Sequence, residues 1–162
     1  MNTDNQNFEC DNCKAKVEES FDFCPECGSL FISANCENHP SDEADGVCII
    51  CALPFCKRCG GNVHDRFLCN DHFNYEIYQG MARVYGTSDA VQAEYIKSCL
   101  EQSGIKALLY SRKASPISLG GADYSLFRSS GEYDGHIINE IKVMVHCQNV
   151  LAAEELIKNL DL

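Results

Sequence analysis

Apolar residues in the second half of the chain recur with the two periods that distinguish strands from helices. Alternation of apolar and polar side chains is typical of a strand with one buried face, whereas recurrence at i, i+3, i+4 and i+7 is typical of an amphipathic helix. The alternating pattern predicts three strands. They lie at residues 81–85, at Ile105, Ala107 and Leu109, and at Ile141, Val143 and Val145.

Two helices are predicted between and after these strands. Ser88 is expected to cap the first helix, with Asp89 in its first turn, where the helix dipole favours a negative charge. Gly104 is expected to end that helix. The order of elements is then strand, helix, strand, strand, helix. The apolar faces are Ala93, Ile96 and Leu100 in the first helix, and Ala153, Leu156, Ile157 and Leu160 in the second.

The first half of the chain shows neither period and is instead rich in cysteine. Ten of the 12 cysteines lie between Cys10 and Cys69. The apolar share of the chain is 45% and falls to about 38% without cysteine, which is thin for one large core. The first half therefore needs bound metal ions or covalent cross-links to fold. The remaining cysteines, Cys99 and Cys147, are expected to be core thiols of the second half.

Four pairs of cysteines are separated by two residues, and two further pairs have histidine as the second member. This spacing lets a tight turn aim two side chains at one point about 2.3 Å from each sulfur. Six pairs supply twelve ligands, enough for three tetrahedral zinc ions per chain. Disulfides are the weaker alternative, because cysteines so close in sequence bridge each other poorly. The pairs are Cys10/Cys13, Cys24/Cys27, Cys36/His39, Cys48/Cys51, Cys56/Cys59 and Cys69/His72.

Residues 8–31, which hold the first two pairs, resemble a short zinc ribbon. In such a ribbon, two ligand turns on two hairpins hold one zinc ion. The resemblance implies a structural site, because four cysteines fill the coordination sphere and leave no position for water. The side chains expected to cover the metal are Phe8, Val17, Phe23 and Phe31.

Residues 34–75, which hold the other four pairs, resemble the B-box family, a relative of the RING-type cross-brace folds. The resemblance rests on Cys36-Glu37-Asn38-His39-Pro40, Phe55-Cys56-Lys57-Arg58-Cys59 and Leu68-Cys69-Asn70-Asp71-His72-Phe73. In that family, the first and third ligand pairs share one zinc ion, and the second and fourth share the other. Interleaved and sequential pairing both give two Cys₃His sites, so ligand counting leaves both open.

Core size favours the interleaved pairing. Sequential pairing would leave two units of about 16 residues, each too poor in apolar residues to fold alone. Interleaving assigns Cys36, His39, Cys56 and Cys59 to one zinc ion, and Cys48, Cys51, Cys69 and His72 to the other. His64 lacks a partner two residues away and is expected to be an exposed loop residue. The pooled core is Val47, Ile49, Leu53, Phe55, Val63, Phe67 and Leu68.

Negative charge is concentrated in the first half. Residues 1–80 carry 14 acidic and 5 basic side chains, against 10 and 8 in residues 81–162, and Gly80 is the expected joint. Three filled zinc sites would take the formal net charge from −11 to about −15. Such a charge repels phosphate backbones, so we expect no direct binding of nucleic acid.

The beginning of the chain lacks a basic region followed by an apolar one, so no export signal is predicted. No run of eighteen apolar residues is present, so no membrane association is expected. We therefore expect a cytoplasmic protein, in which thiols stay reduced.

Residues 81–162 resemble the bacterial domain family described as a "putative signal-transducing protein" domain. The resemblance rests on Val84-Tyr85-Gly86-Thr87-Ser88-Asp89, the helix at 93–101, Gly104-Ile105-Lys106-Ala107 and Leu119-Gly120-Gly121. It implies a βαββα domain of ferredoxin-like type, which makes the whole chain α+β, and it supplies no catalytic residues. The chain departs from the family pattern between Gly121 and Gly135, where a longer stretch forms either an extra hairpin or a loop.

An interaction surface is predicted at Leu119-Gly120-Gly121 and the aromatic stretch that follows it. Adjacent glycines let a ligand or partner chain approach the backbone closely, and exposed aromatic rings anchor interfaces. The alternative is that these rings pack a hairpin onto the sheet. The aromatic residues are Tyr124, Phe127 and Tyr133.

The leading functional hypothesis is a zinc-binding adaptor or regulator that mediates protein–protein interaction or signal transduction. Its second domain is expected to bind a protein partner or a small ligand. One alternative is a redox- or zinc-responsive sensor, in which thiolate oxidation releases zinc. Another is a regulator of nucleic-acid machinery through protein contacts. No enzyme is expected, because the zinc sites are closed and no phosphate loop or nucleophile elbow is present.

Overall fold

The chain folds into two compact units that meet in sequence between Tyr75 and Glu76. The computed structural model describes residues 7–111, 131–133, 136–160 and 162. Gly80, the expected joint, instead lies inside the second unit, in a two-residue turn between two strands. Within the described ranges, no helix is long and apolar enough to cross a bilayer.

The first unit is built from three short antiparallel ribbons, and residues 7–75 contain no helix. Its longest strands have four residues, so little of its stability comes from extended backbone pairing. The ribbons are β1 (Asn7–Glu9) with β2 (Lys16–Glu18), β3 (Gly46–Val47) with β4 (Pro54–Phe55), and β5 (Gly60–Val63) with β6 (Arg66–Cys69).

The apolar core of the first unit contains five of the seven residues expected there: Val47, Ile49, Phe55, Phe67 and Leu68. Leu53 is 40% exposed, which corrects its assignment to the core. Its carbonyl accepts the N–H of Cys48 in a tight turn, and the side chain is left outside. Val63 is half-buried, and the buried Ile50 was not anticipated.

The segments expected as separate modules, 8–31 and 34–75, are joined through their main chains. The N–H of Val47 donates to the carbonyl of Gly28 at 2.8 Å, and the N–H of Phe67 donates to that of Cys27 at 2.9 Å. A Cβ added at Gly28 would lie 2.1 Å from the carbonyl oxygen of Val47, so only glycine permits this approach. Backbone hydrogen bonds therefore connect the two segments within the first unit.

The second unit contains a four-stranded antiparallel sheet and two helices. The sheet order is β7-β8-β12-β9, in which β7 is an edge strand that the sequence did not predict. The elements are β7 (Ile77–Tyr78), β8 (Met81–Thr87), α1 (Ala90–Gln102), β9 (Ala107–Ser111), β10 (Gly131–Tyr133), β11 (His136–Ile138), β12 (Ile141–His146) and α2 (Val150–Lys158). The predicted order strand, helix, strand, strand, helix is present as β8, α1, β9, β12 and α2.

Both ends of α1 are fixed by specific backbone contacts. Asp89 is the N-cap, and its carboxylate accepts the N–H groups of Val91 and Gln92. The prediction that Ser88 caps the helix was therefore wrong by one residue. At the other end, Gly104 has φ +80° and donates to the carbonyl of Glu101, as in a Schellman motif.

The predicted apolar face of α1 is buried as a whole, whereas that of α2 is shifted. Ala153 and Ile157 are buried, but Leu156 and Leu160 are only half-buried, and Leu160 lies beyond the helix. Val150, at the first position of α2, completes the buried face. Cys147 is buried as expected, in a 3₁₀ turn before α2. Cys99 is half-buried.

The strand β10 lies in the stretch where the chain departs from the family pattern, and it pairs with β11, which directly follows that stretch. The two strands account for residues 131–138, with positions 134 and 135 outside the described residues. The predicted interaction surface at Leu119-Gly120-Gly121, Tyr124 and Phe127 also lies outside them. For Tyr133 the structure gives the backbone alone.

Candidate metal centres

Three of the Cys-x₂-Cys turns end on a residue with left-handed backbone. The N–H of Lys14 donates to the carbonyl of Cys10, and that of Ala52 donates to the carbonyl of Cys48, each at 2.8 Å. Lys14 and Ala52 have φ values of +61° and +58°, and Gly28 has +82°. Of these three residues, only glycine favours a left-handed backbone, so the sequence does not predict this conformation at Lys14 and Ala52.

The first group of candidate ligands brings the two halves of the ribbon-like segment together. Its ligand atoms all lie within 4.8 Å of one another. The Sγ atoms of Cys10 and Cys27 are 3.8 Å apart, and those of Cys13 and Cys24 are 3.5 Å apart. A tetrahedral ion with bonds of about 2.3 Å would separate two sulfurs by about 3.8 Å.

The other eight candidate ligands form two groups of four, and the groups interleave along the chain. Each group again has all its ligand atoms within 4.8 Å of one another. The grouping is the one expected from core size, with the first and third ligand pairs together and the second and fourth together. The members are Cys36, His39, Cys56 and Cys59 in one group, and Cys48, Cys51, Cys69 and His72 in the other.

Both histidines present Nδ1 to the neighbouring thiols. Nδ1 of His39 lies 3.3 Å from Sγ of Cys59, and Nδ1 of His72 lies 3.2 Å from Sγ of Cys69 and 3.5 Å from Sγ of Cys48. A tetrahedral zinc ion would separate a sulfur and a nitrogen ligand by about 3.6 Å. Each group could therefore hold a metal ion with little rearrangement.

Burial and hydrogen bonds shift the pKa values of the candidate ligands in both directions. The hydrogen bond from the Cys51 thiol outweighs burial and lowers the pKa of Cys48 to about 4, with help from the N–H groups of Cys51 and Cys69. Burial raises the pKa of the Cys27 thiol, but hydrogen bonds from Ser29 outweigh it and lower that pKa to about 7. The same thiol–thiol hydrogen bond raises the pKa of Cys51, and burial raises the pKa of Cys24.

Polar side chains brace the group that contains Cys59. Nδ2 of Asn38 donates to Sγ of Cys59 at 3.5 Å. The guanidinium of Arg58 pairs with Asp42, which raises the pKa of Arg58. The carbonyl of Asp42 also accepts the N–H of Cys36 at 2.9 Å. These contacts therefore join the loop that carries Cys36 and His39 to the turn that carries Cys56 and Cys59.

Eight of the ten thiols in the three groups are buried, and Cys13 and Cys51 are half-buried. His64 is exposed and lies outside the three groups, as expected from its missing partner. Of the side chains expected to cover the first group, Val17 is buried. Phe31 packs edge-on against Phe8 with ring centroids 4.9 Å apart.

The fold and the ligand groups define a class: a chain with a cysteine-rich first unit that could hold three metal ions, followed by an α+β domain. Residues 81–161, half of the chain, match the family model described as "Putative prokaryotic signal transducing protein". The chain therefore belongs to this family. The match lies within the second unit and contains none of the twelve candidate ligands. Searches of curated proteins and of solved structures each found no match.

Proposed function

We propose that this protein is a zinc-stabilised adaptor of a bacterial signalling pathway, acting in the cytoplasm. The first unit holds three zinc ions and presents a rigid surface to a protein partner, and the second unit is the regulatory domain. The observation that carries the proposal is the set of three four-ligand groups with the edge lengths of a tetrahedral site. The family description, which refers to signal transduction, supports the role of the second unit.

The donor sets support zinc over other metals. Thiolate and imidazole ligands in tetrahedral arrangement are typical of zinc, whereas magnesium and calcium prefer oxygen ligands. One Cys₄ and two Cys₃His sets supply four protein ligands to each ion. A site with four protein ligands leaves no open position for water or substrate, which supports a structural role and not catalysis.

Metal analysis and partner capture together test the proposal. The chain, purified without added metal or chelator, should contain three zinc ions by mass spectrometry under native conditions. Partner capture from the native host should depend on the first unit. It should be lost in the double variant Cys48→Ser/Cys69→Ser and kept in Cys99→Ser, which changes a thiol outside the ligand groups. One metal ion or none per chain, or equal capture by both variants, would contradict the proposal.

A redox sensor is the second candidate, favoured by the half-buried thiols Cys13 and Cys51. Oxidation of a thiolate ligand removes its metal-binding form and releases the ion. Under this alternative, mild peroxide should release zinc from the native chain within minutes, measured with a chromophoric zinc indicator. An adaptor should keep its zinc under the same treatment, so the experiment separates the two functions.

A further inference from the structure

The sheet of the second unit has two different faces. Val143 and Val145 are fully buried on the face against which α1 and α2 pack. The opposite face carries Lys142 and Met144, which pair across β12 and β9 with Tyr110 and Leu108. Leu108 and Tyr110 are both about half-exposed, so the helices do not cover this face.

Two tyrosine side chains, from opposite edges of the sheet, extend across this face. Tyr78 lies on β7 and Tyr110 on β9, the two edge strands of the sheet. Three strand spacings put these edges about 14 Å apart. The ring centroids are nevertheless only 6.4 Å apart, with planes inclined by 34°. Both side chains therefore reach inward above the central strands and form a clamp, which we call the tyrosine clamp.

A cavity of about 560 Å³ lies at the tyrosine clamp. This volume is within the range of sites for small organic ligands. Apolar and aromatic side chains dominate its walls, and the other polar ones are Glu76 just before β7, Gln79 in the turn after it and Lys142 on β12. The residues around it are Glu76, Tyr78, Gln79, Met81, Leu108, Leu109, Tyr110, Lys142 and Met144.

The charged groups near the cavity neutralise one another. Lys142, whose side chain is 16% exposed, pairs with Glu76 and lies 3.9 Å from Glu140. Glu140 in turn pairs with Arg83. Among the described residues that line the cavity, the one carboxylate and the one ammonium group, Glu76 and Lys142, pair with each other, so this part of the cavity offers no net field to draw in an ionic ligand. The complementary ligand is a neutral one.

We propose that the tyrosine clamp binds one neutral, planar heteroaromatic ring of nucleobase size, such as the base of a nucleoside. A ring between two others needs centroids about 7 Å apart, twice the optimal contact distance of about 3.5 Å. The clamp reaches this spacing from 6.4 Å by a small outward rotation of either exposed ring. Glu76 and Gln79 at the rim supply the acceptor and donor atoms for the edge of the base.

The site requires residues outside the segment that defines the family. Glu76, Tyr78 and Gln79 precede residues 81–161, and they are placed by the pairing of β7 with β8. Ligand binding at the clamp therefore depends on the edge strand β7, which lies outside the matched range. Every lining residue belongs to the second unit.

The zinc-loaded full-length chain tests the proposal with adenosine, guanosine and uridine as probes. The chain has three methionines, and Met81 and Met144 line the cavity. In methyl spectra of the ¹³C-methionine-labelled chain, saturable shifts of Met81 and Met144 are expected, while Met1 acts as the internal reference. Stacking of a base on tyrosine predicts that Tyr78→Ala and Tyr110→Ala each weaken binding by at least about fivefold.

Matched variants separate loss of the clamp from loss of the fold. Tyr95→Ala removes another half-exposed tyrosine, on α1, and should leave binding unchanged. Tyr110→Phe keeps the stacking surface and should retain binding. No saturable shift of Met81 or Met144 with up to about 5 mM nucleoside overturns the proposal. Binding of adenosine monophosphate ten times more tightly than adenosine would also overturn it. Binding of a proline-rich peptide without any response to nucleosides would do the same.

Discussion

At the scale of single residues, Gly28 has the most demanding position in the first unit. Its φ of +82° is left-handed, and an added Cβ would meet the Val47 carbonyl oxygen at 2.1 Å and Cβ of Phe67 at 2.9 Å. Neither neighbour can move freely. The oxygen of Val47 belongs to the backbone, and Cβ of Phe67 is bonded directly to the backbone. The prediction is that Gly28→Ala destabilises the first unit by about 3 kcal/mol, from left-handed strain and overpacking together.

Chelator titration measures this effect as an increase in the zinc released at a given chelator concentration. Gly61→Ala is the matched control, because its added Cβ would meet only a ring atom of Phe73 at 3.9 Å. Equal zinc release from the two variants would show that the contact between Gly28 and Val47 does not constrain the unit.

The corrected cap of α1 gives a second prediction at this scale. Asp89 accepts the N–H groups of Val91 and Gln92 at 2.8 and 3.2 Å. Asp89→Ala should therefore lower the free energy of unfolding of the second unit by about 1 kcal/mol. Ser88→Ala should change it by less than about 0.5 kcal/mol. Urea unfolding followed by circular dichroism at the helix wavelength compares the two, and the reverse order would restore Ser88 as the cap.

At the scale of elements, the sequence predicted what depends on repeated spacing. Regular periods predict the ligand pairs, the buried face of α1 at Ala93, Ile96 and Leu100, and the strands β8, β9 and β12. What the sequence did not reveal depends on single backbone conformations or on partners distant in sequence. The two-residue strand β7 exists only because β8 pairs with it, and Ala52 adopts a left-handed φ that its side chain does not favour.

The expected joint at Gly80 was wrong for the same physical reason, whereas the expected end of the cysteine-rich segment at residue 75 coincides with the end of the first unit. The turn at Gln79 and Gly80, with φ of +48° and +79°, looks like a linker in sequence but closes a hairpin. The chain therefore divides at Tyr75 and Glu76 and not at Gly80. The hydrogen bond from Val47 to Gly28 was likewise not predictable from the sequence, because backbone contacts between distant segments produce no spacing pattern in it.

That backbone contact makes a prediction about coupling between the metal centres. Gly28 directly follows Cys27 of the first group, and Val47 directly precedes Cys48 of another. Releasing the first metal with Cys10→Ser/Cys13→Ser should loosen this junction. Amide hydrogen exchange should then accelerate at Val47 and Phe67, whose N–H groups donate across it.

The control for this experiment lies in the same unit but away from the junction. The N–H of Asn70 donates to the carbonyl of Cys59 at 2.8 Å, between residues of the interleaved groups only. Its exchange should change less than that of Val47 in the double variant. Uniform acceleration would mean that the whole unit unfolds with the first metal, and no acceleration would mean that the ribbon-like segment is energetically separate.

At the scale of the whole molecule, the two units take their stability from different sources. The first buries thiols and seven large apolar side chains, with strands of at most four residues. The second buries the faces of two helices against a four-stranded sheet and has no ligand group among its described residues. Metal removal should therefore affect the two units unequally.

The corresponding prediction is that a strong zinc chelator unfolds the first unit and leaves the second folded. The folding free energy of a small metal-stapled domain is largely its metal-binding free energy, so residues 8–75 should lose their structure. The buried residues of the second unit, such as Ile96 and Val143, lie on elements that pair without metal. In an amide correlation spectrum, signals of residues 8–75 should collapse toward random-coil positions, and those of 81–162 should keep their dispersion. Re-addition of zinc should restore the first set. Simultaneous collapse of both sets would show that the units fold as one cooperative structure, and retention of both would show that the first unit folds without metal.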